Sequence, residues 1–276
     1  MTVLEVLRRT EDFLRQRGVV SAQLDSQLLL AHALEMERLQ VFMNFDRPMT
    51  DEELARTRPL VKRRSEGESI AYLFGNKEFW SLDFAVGPGV LVPRPETELL
   101  VEKALELIGD DEELFIADVC AGSGCVGISI ASERSSVRVY ATELSHEAIP
   151  WLNKNVAAHQ MQTRVAVLGG DLMEPIPANR EVDIVVSNPP YIEQAEMKGL
   201  EVARHEPHLA LDGGPSGLDI YRRLVPQAAS RARRAVLMEI GHDQGEAVSA
   251  LFREAGLEPV VHQDLAGRDR VVAAAR

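Results

Sequence analysis

Two cysteines in 276 residues, Cys120 and Cys125, are too few for a disulfide framework or a cysteine-rich zinc site. Both flank one glycine-rich segment, where a free cysteine normally serves as a small packing residue. Basic charge is also scarce: 30 Lys and Arg stand against 43 Asp and Glu, a formal net charge of -13. That balance argues against broad electrostatic binding to nucleic acid, which needs cationic side chains to displace counterions from phosphates. The first 70 residues are near neutral, so the remainder carries almost all of the excess acid. No apolar run reaches membrane length, and Glu5, Glu11 and Asp12 stand among the arginines near the start, where a targeting segment would exclude them. A cytoplasmic protein without a membrane partner is expected. The run His205-Glu206-Pro207-His208 lacks the spacing of a zinc helix, and Pro207 breaks the turn, so no metal is expected. Internal repeats and low-complexity tracts are missing as well.

What is present divides by periodicity. At 45% hydrophobic, the chain is long enough for one large domain with a smaller one attached. From Thr2 to about Tyr72 apolar residues recur at helical spacing (Leu4, Leu7, Phe13, Leu14, Leu24, Leu28, Ala31, Leu34), and Thr50-Asp51-Glu52-Glu53 is a capping box that opens another helix. Residues 1–72 therefore read as a small helical bundle. Residues 73–95 change character: Phe79-Trp80-Ser81-Leu82, Phe84, Val86 and Gly87-Pro88-Gly89 predict a short β-hairpin and linker. Pro93-Arg94-Pro95-Glu96 then precedes a helix over 97–108. The remainder, 96–276, reads as an α/β unit with strands at 115–120, 137–143, 164–168, 182–187, 235–240, 258–263 and 270–274. Only six residues separate the last two strands, too few for a parallel crossover, so that pair is expected to be antiparallel.

The strand Phe115 to Val119 runs into Cys120-Ala121-Gly122-Ser123-Gly124-Cys125-Val126-Gly127 and then a small-residue helix. This is the strand, loop and helix of a nucleotide-binding unit, in which glycines admit a ligand to the backbone. The following strand ends at Glu143, about 20 residues on, where a carboxylate can accept hydrogen bonds from both hydroxyls of a ribose. The loop also matches G-x-G-x-x-G, the dinucleotide fingerprint. S-adenosylmethionine and NAD both present an adenosine to such a crevice, so the loop and the acid leave a methyltransferase and a nicotinamide oxidoreductase open.

The run Ser187-Asn188-Pro189-Pro190-Tyr191, at the end of the apolar stretch Val182 to Val186, separates them. It puts a planar amide, a rigid proline pair and an aromatic ring at a strand's carboxyl end, where open α/β sheets bind ligands. An amide or aromatic amine nitrogen is a poor nucleophile because its lone pair is delocalised. An enzyme that uses one must accept hydrogen bonds from its two hydrogens and aim the lone pair. The Asn188 side-chain oxygen and the Pro189 carbonyl are candidates for those acceptors. Pro190 stiffens the loop and removes a competing donor, and Tyr191 offers a ring to the planar group. Hydride transfer needs none of this, whereas amino-group methylation does.

Taken together, these motifs resemble the bacterial release factor glutamine methyltransferase family over nearly the whole chain. The resemblance is carried by Phe74-Gly75 with Glu78-Phe79-Trp80, Val92-Pro93-Arg94-Pro95-Glu96-Thr97-Glu98, the glycine loop, Ser187 to Ile192, Glu206-Pro207 with Ala210-Leu211, and Asp269-Arg270-Val271. It implies a Rossmann-like class I S-adenosylmethionine-dependent methyltransferase, seven-stranded with an antiparallel last strand, behind an N-terminal helical bundle that helps recognise a protein substrate. It further implies N5-methylation of the glutamine in the Gly-Gly-Gln motif of class 1 peptide chain release factors. A monomer with no direct nucleic-acid contact is expected. Carried over by position, Cys120, Ala121, Gly122, Ser123, Gly124 and Glu143 meet the cofactor, and Asp171 and Leu172 meet its adenine. Asn188, Pro189, Pro190 and Tyr191 hold the substrate amide, with Asn188 shared between the two sites and Arg94 and Glu96 lining the pocket. Cys120, Ala121 and Leu172 depart from some members, which have glycine, threonine and an aromatic residue there. A glutamine methyltransferase acting on a ribosomal protein, an adenine-N6 methyltransferase and a non-catalytic cofactor-binding module are the alternatives.

Overall fold

The computed structural model describes residues 1–109, 113–200 and 202–276, which divide into two compact units, Met1–Gly75 and Asn76–Arg276. The smaller is helical throughout: α1 (Val3–Gln16), α2 (Ala22–Leu34), α3 (Arg38–Met43), α4 (Asp51–Ser65) and α5 (Ile70–Phe74). Helices α1 and α4 both open on capping boxes, Thr2 with Glu5 and Thr50 with Glu53, which satisfy N–H groups that have no partner inside the helix. Val3, Val6, Leu7, Thr10 and Leu14 form the inward stripe of α1 at steps of three and four. Phe13 and Leu24, counted in the apolar pattern, are exposed. Phe13 lies one place off that stripe, and on α2 the inward places are taken by Asp25 and Ser26. Asp25 is buried because Arg64 of α4 donates to it at 2.7 Å and the Ser21 hydroxyl at 2.9 Å. A buried charge needs such a partner, and hydrophobic periodicity carries no trace of it.

The larger unit begins with an antiparallel hairpin, β1 (Asn76–Phe79) and β2 (Leu82–Ala85). Its turn residues Trp80 and Ser81 both have positive φ, 52° and 56°. A two-residue turn of that hand follows the twist of the strands but is strained for residues with a Cβ. Two hydrogen bonds hold Trp80 in place, its backbone N–H on Glu98 Oε1 at 2.9 Å and its indole N–H on Glu133 Oε1 at 2.8 Å. Phe79 and Phe84 meet edge to face and are buried in the main apolar cluster. The segment read as a hairpin linker thus folds as part of the α/β core, and the two units divide after Gly75, three residues beyond the boundary expected from periodicity.

The main sheet has seven strands: β3 (Phe115–Val119), β4 (Arg138–Glu143), β5 (Val165–Gly169), β6 (Val182–Ser187), β7 (Ala232–Glu239), β8 (Val260–Gln263) and β9 (Asp269–Ala275), in the order β5-β4-β3-β6-β7-β9-β8. Strands β3 to β7 pair in parallel, and β9 runs antiparallel to both β7 and β8. The expected antiparallel final pair is present. What its short connection could not reveal is that β9 inserts between β7 and β8. The helices are α6 (Glu98–Leu105), α7 (Cys125–Glu133), α8 (Ile149–Ala158), α9 (Gln194–Met197), α10 (Asp219–Arg231) and α11 (Gly245–Glu254). Two apolar clusters cover the two faces: Ile116 of β3 belongs to one, and Ala117 and Val119 to the other, as alternation along a strand requires. Strands β4 and β5 extend to one side of β3, and β6 and β7 to the other, so the order reverses at β3 and opens a crevice at its carboxyl end.

One buried amide ties the hairpin to the glycine loop. Asn155 of α8 accepts from Ala85 N–H at 2.7 Å and donates to the carbonyls of Ala85 at 3.1 Å and Ser123 at 2.8 Å. Asn155→Leu keeps the branched outline and orphans all three backbone groups, so stability should fall by roughly 2 to 4 kcal/mol. Denaturant unfolding measures it, and a loss below about 0.5 kcal/mol, the scale of a neutral surface change, would show that the amide does not brace the loop.

Candidate active site

Parallel pairing brings the strand ends to one edge. Val119 stands opposite Thr142 and Ser187, Glu143 opposite Gly169, and Ser187 opposite Met238, the neighbour of Glu239. Around the resulting cleft the wall contains Cys120, Ala121, Gly122, Ser123, Glu143, Asp171, Leu172, Asn188, Pro190 and Arg94 of the residues singled out by sequence. Gly124, Pro189, Tyr191 and Glu96 lie off the wall. Glu96 is exposed and Pro189 buried. The Tyr191 ring packs against the apolar cluster over the β7 side of the sheet, and its hydroxyl faces Glu239.

The three loop glycines serve different ends. A Cβ at Gly122, where φ is 55°, would meet only Val90 Cγ2 at 4.0 Å, so that position is open to a ligand. A Cβ at Gly124 would fall 2.4 Å from Leu152 Cδ1, and one at Gly127 would fall 2.8 Å from Asp118 Oδ2 and 2.9 Å from Val139 Cγ1. These two permit α7 to pack closely rather than a ligand to approach. Cys120 has a left-handed φ of 61°. Burial pushes both thiols up, Cys125 to about 12 and Cys120 further, so neither is a thiolate nucleophile or ligand.

Most of the loop's donors are already used. Ala121 N–H donates to the Thr142 carbonyl, Gly124 N–H to the Ala121 carbonyl, and Gly122 N–H to Glu143 Oε2 at 2.8 Å. A carboxylate therefore sits where a dinucleotide's pyrophosphate would need free N–H groups. The two arginines of the wall are also occupied, Arg94 with Glu206 at 2.6 Å and Arg223 with Asp171. Glu143 Oε1 accepts from Ser145 N–H at 2.7 Å, which leaves each oxygen a further lone pair for a diol. Burial pushes its carboxyl up, against the pull of Ser145 and Gly122.

Asp118, on the floor, is 1% exposed and accepts from Gly127 N–H at 2.9 Å. Burial pushes it up to about 7; the Gly127 bond opposes this and the nearby Glu143 adds to it. Two desolvated carboxyls, with no cation against either among the described residues, make this end of the cleft suited to a positively charged ligand carrying a diol. Apolar Leu91, Leu144, Ala148, Leu172 and Ile220 complete its walls. Thr142 Oγ1, also on the wall, is buried without a hydrogen-bond partner. Leu172 has a left-handed φ of 47° and is buried.

At the other end, Asn188 Nδ2 donates to Thr97 Oγ1 at 3.2 Å. Among the described residues neither Asn188 Oδ1 nor the Pro189 carbonyl accepts a hydrogen bond; Asn188 lines the cleft and Pro189 lies behind it. Thr97 closes the Pro-Arg-Pro-Glu segment, which Glu206 holds in place: its Oε2 takes Val92 N–H at 2.9 Å and its Oε1 takes Arg94. Beyond Thr97 lies Glu239, 1% exposed, pushed up to about 7 by burial while the Thr97 and Tyr191 hydroxyls and Arg270 pull it down and Glu96 pushes it up. Sequence reasoning missed Asp118, Thr97 and Glu239 as site residues. For Asp118 and Glu239 the available signal was a lone carboxylate in or at the end of an apolar strand, the same kind of signal that identified Glu143. No group of three or more potential metal ligands is present among the described residues, and no helix there is long and apolar enough to cross a membrane.

The raised Asp118 has a consequence for stability. Its folded-state value of about 7 lies above the unfolded value of 3.8. The stability held with the protonated form is therefore complete below pH 3.8 and is lost as pH rises to about 7. Asp118→Asn keeps the acceptor for Gly127 and cannot ionise. Its stability relative to wild type should increase between pH 5 and pH 8 by about 2 kcal/mol. Denaturant midpoints of the two proteins at each pH check this, and a difference independent of pH would refute it.

The model of the PrmC N-terminal domain matches residues 5–75 and that of the methyltransferase small domain residues 95–205. A release factor glutamine methyltransferase of Geobacter sulfurreducens is 39% identical over 276 residues, covering 98% of this chain and 95% of that relative. One of Moorella thermoacetica is 39% identical over 281 residues, covering 100% and 99%. The solved structure of a methyltransferase from Pyrococcus furiosus, at 15% identity, superposes with a TM-score of 0.54 over 78% of this chain and 96% of its own, a likeness of fold alone. Full-length identity at this level, with both domain models matched, shows that the chain belongs to the release factor glutamine methyltransferase family.

Proposed function

We propose that this protein transfers a methyl group from S-adenosylmethionine to the side-chain amide nitrogen of the glutamine in the Gly-Gly-Gln motif of class 1 peptide chain release factors. The observation that carries this reading is the pair of unused acceptors, Asn188 Oδ1 and the Pro189 carbonyl, beside a cleft whose other end has two desolvated carboxyls. When bound, S-adenosylmethionine supplies a methyl group activated by a sulfonium. The residues present fit that molecule: Glu143 for the ribose diol, Asp118 for a cationic group, Gly122 for close backbone approach, and Leu172 beside the adenine with Asp171. They fit NAD less well, because the Ala121, Gly122 and Gly124 N–H groups are already used and Glu143 occupies the anion position.

Asn188 and Pro189 would each accept one hydrogen of the substrate amide, which turns its lone pair toward the methyl and holds the nitrogen within about 3 to 3.5 Å of it. The new N–C bond forms as the S–C bond breaks, and the nitrogen then loses a proton to restore a neutral, methylated amide. Positioning supplies most of the acceleration, and no base is required before transfer because methylation itself acidifies the nitrogen. The helical unit, residues 1–72, is assigned to recognition of the release factor. It is near neutral and separate, and the cofactor cleft is complete without it.

Incubation with labelled S-adenosylmethionine and purified release factors, followed by mass-spectrometric site mapping, tests the reading directly. Label on the motif glutamine is expected; label only on a ribosomal protein or on nucleic-acid adenine would replace it. Asn188→Ala should lower kcat by about 100-fold or more, the scale for losing one preorganised polar group. Turnover near wild type at saturating substrates would reduce the proline run to a turn. Glu143→Ala should weaken S-adenosylmethionine binding by roughly 1 to 3 kcal/mol in calorimetry. A truncated chain beginning at Asn76 should bind cofactor yet lose most activity on intact release factor, and full activity would remove the recognition role from the helical unit.

A further inference from the structure

Helix α10 carries three polar side chains one turn apart, Arg223, Gln227 and Arg231, for which the chemistry above has no use. All three reach the segment that follows β5. Arg223 pairs with Asp171, Gln227 Oε1 accepts from Met173 N–H at 3.3 Å, and Arg231 donates to the carbonyls of Met173 at 3.2 Å, Ile176 at 2.9 Å and Pro177 at 2.9 Å. Residues four apart lie on one face of a helix, so the three form a single stripe. From the other side the segment is tied to the second strand end, where Gly170 N–H donates to the Glu143 carbonyl at 2.9 Å. Between these anchors Leu172 keeps its left-handed φ of 47°, a conformation that a residue with a Cβ holds only where its surroundings fix it.

The stripe leaves two groups of the segment unused. Asp171 Oδ1 and Leu172 N–H have no hydrogen-bond partner among the described residues, and both residues line the cleft. A carboxylate oxygen, which only accepts, next to a backbone donor matches the edge of adenine, with its amino hydrogens at position 6 and its acceptor at N1. A 6-oxopurine reverses both groups, so a carbonyl would meet the carboxylate and an N1 hydrogen the Leu172 N–H. Pairing with Arg223 also sets Asp171 apart from Asp118 and Glu143, which have no cation against them among the described residues. An uncancelled carboxylate favours a cation, whereas a neutral base is better met by a compensated one. We infer that the stripe of Arg223, Gln227 and Arg231 is a positioning device that presents Asp171 and Leu172 to the base of the cofactor and makes the cleft select a 6-aminopurine over a 6-oxopurine. This selection rests on the proposed reading of the ligand as S-adenosylmethionine and deepens it. Arg223 reaches the wall itself, whereas Gln227 and Arg231 lie off it and act only through the segment.

Calorimetry of the full chain with S-adenosylhomocysteine and S-inosylhomocysteine, which differ only in the groups at positions 6 and 1 of the base, reads the selection without turnover. Wild type should bind the adenine form about 100-fold more tightly, within the range for one two-point base contact. Arg223 is exposed, and Arg223→Met keeps its stem; Gln227→Met keeps the length and removes the acceptor for Met173. Each should lower the ratio of the two dissociation constants by about fivefold or more, the effect of one hydrogen bond, chiefly by weakening the adenine form. Arg223→Lys, which retains a cationic donor, should recover most of the ratio. A purely structural role would lower the thermal midpoint and weaken both ligands alike with the ratio intact, and that result would overturn the device. Equal binding of the two ligands by wild type would overturn it too. A ratio that falls in Arg223→Met and not in Gln227→Met would do the same, because Arg223 would then be a direct base contact. If the ratio follows the expected pattern while no methyl reaches glutamine, the function fails and the device stands. If glutamine is methylated and the ratio is unchanged in both methionine variants, the device fails and the function stands.

Discussion

The constraint on which the site depends is that the two carboxyls of its floor are held by backbone N–H groups and not by cations. Glu143 rests on Gly122 and Ser145, and Asp118 on Gly127. Backbone donors are fixed by the fold, so these acids keep their positions without flexible partners. They also keep their charge uncancelled. An ion pair would have neutralised the cleft and filled it, as Asp25 with Arg64 does inside the helical unit. The two arginines that reach the wall are each matched to an acid at its rim, so the floor remains desolvated and empty of competing cations among the described residues.

Parallel pairing makes such a collection possible. In a parallel sheet every strand ends at the same edge, so residues distant in sequence arrive together without any loop having to reach across. Asp118, Glu143, Asn188 and Glu239 come from β3, β4, β6 and β7, and each sits on or just beyond the last turn of ladder hydrogen bonds, where the backbone is rigid. Insertion of β9 between β7 and β8 then closes the far side with an antiparallel strand and buries Glu239 against Val271. A buried acid in that position is a consequence of the topology as much as of the residue.

This explains which parts of the molecule are legible in the sequence. The seven strands are, because apolar runs bounded by turn residues leave few other readings, and so is the short final connection. The Gly122 loop, Glu143 and the Asn188 run are legible because each combines a strand end with a residue type that has little reason to be there structurally. The path of β9 is not, since pairing partners are chosen by the whole sheet and leave no local mark. Asp118 and Glu239 carried a readable signal that was overlooked, a single acid in an apolar strand. Thr97 carried none, as a threonine after Pro-Arg-Pro-Glu is unremarkable until Asn188 is seen to donate to it. Phe13 and Leu24 show the opposite failure, in which apolar spacing suggested burial and the fold placed polar partners there instead.

Buried acids without cations lower stability, and a protein holds only a small margin to spend on them. Here the cost is concentrated where a cationic ligand would remove it. A ligand that binds only the folded chain adds stability in proportion to the logarithm of its concentration over its dissociation constant. One that also brings positive charge to Asp118 restores the ionised form that burial disfavours. The empty cleft and the bound one therefore differ in more than contacts: ligand binding should carry a proton release near neutral pH, since Asp118 is pushed up to about 7 without the ligand. The same argument does not extend to Glu239, which lies beyond Thr97 and Asn188 and is screened from the ligand by them. Burial raises its carboxyl while the Thr97 and Tyr191 hydroxyls and Arg270 lower it, and Glu239 does not line the cleft, so its charge is set inside the fold and not by the ligand.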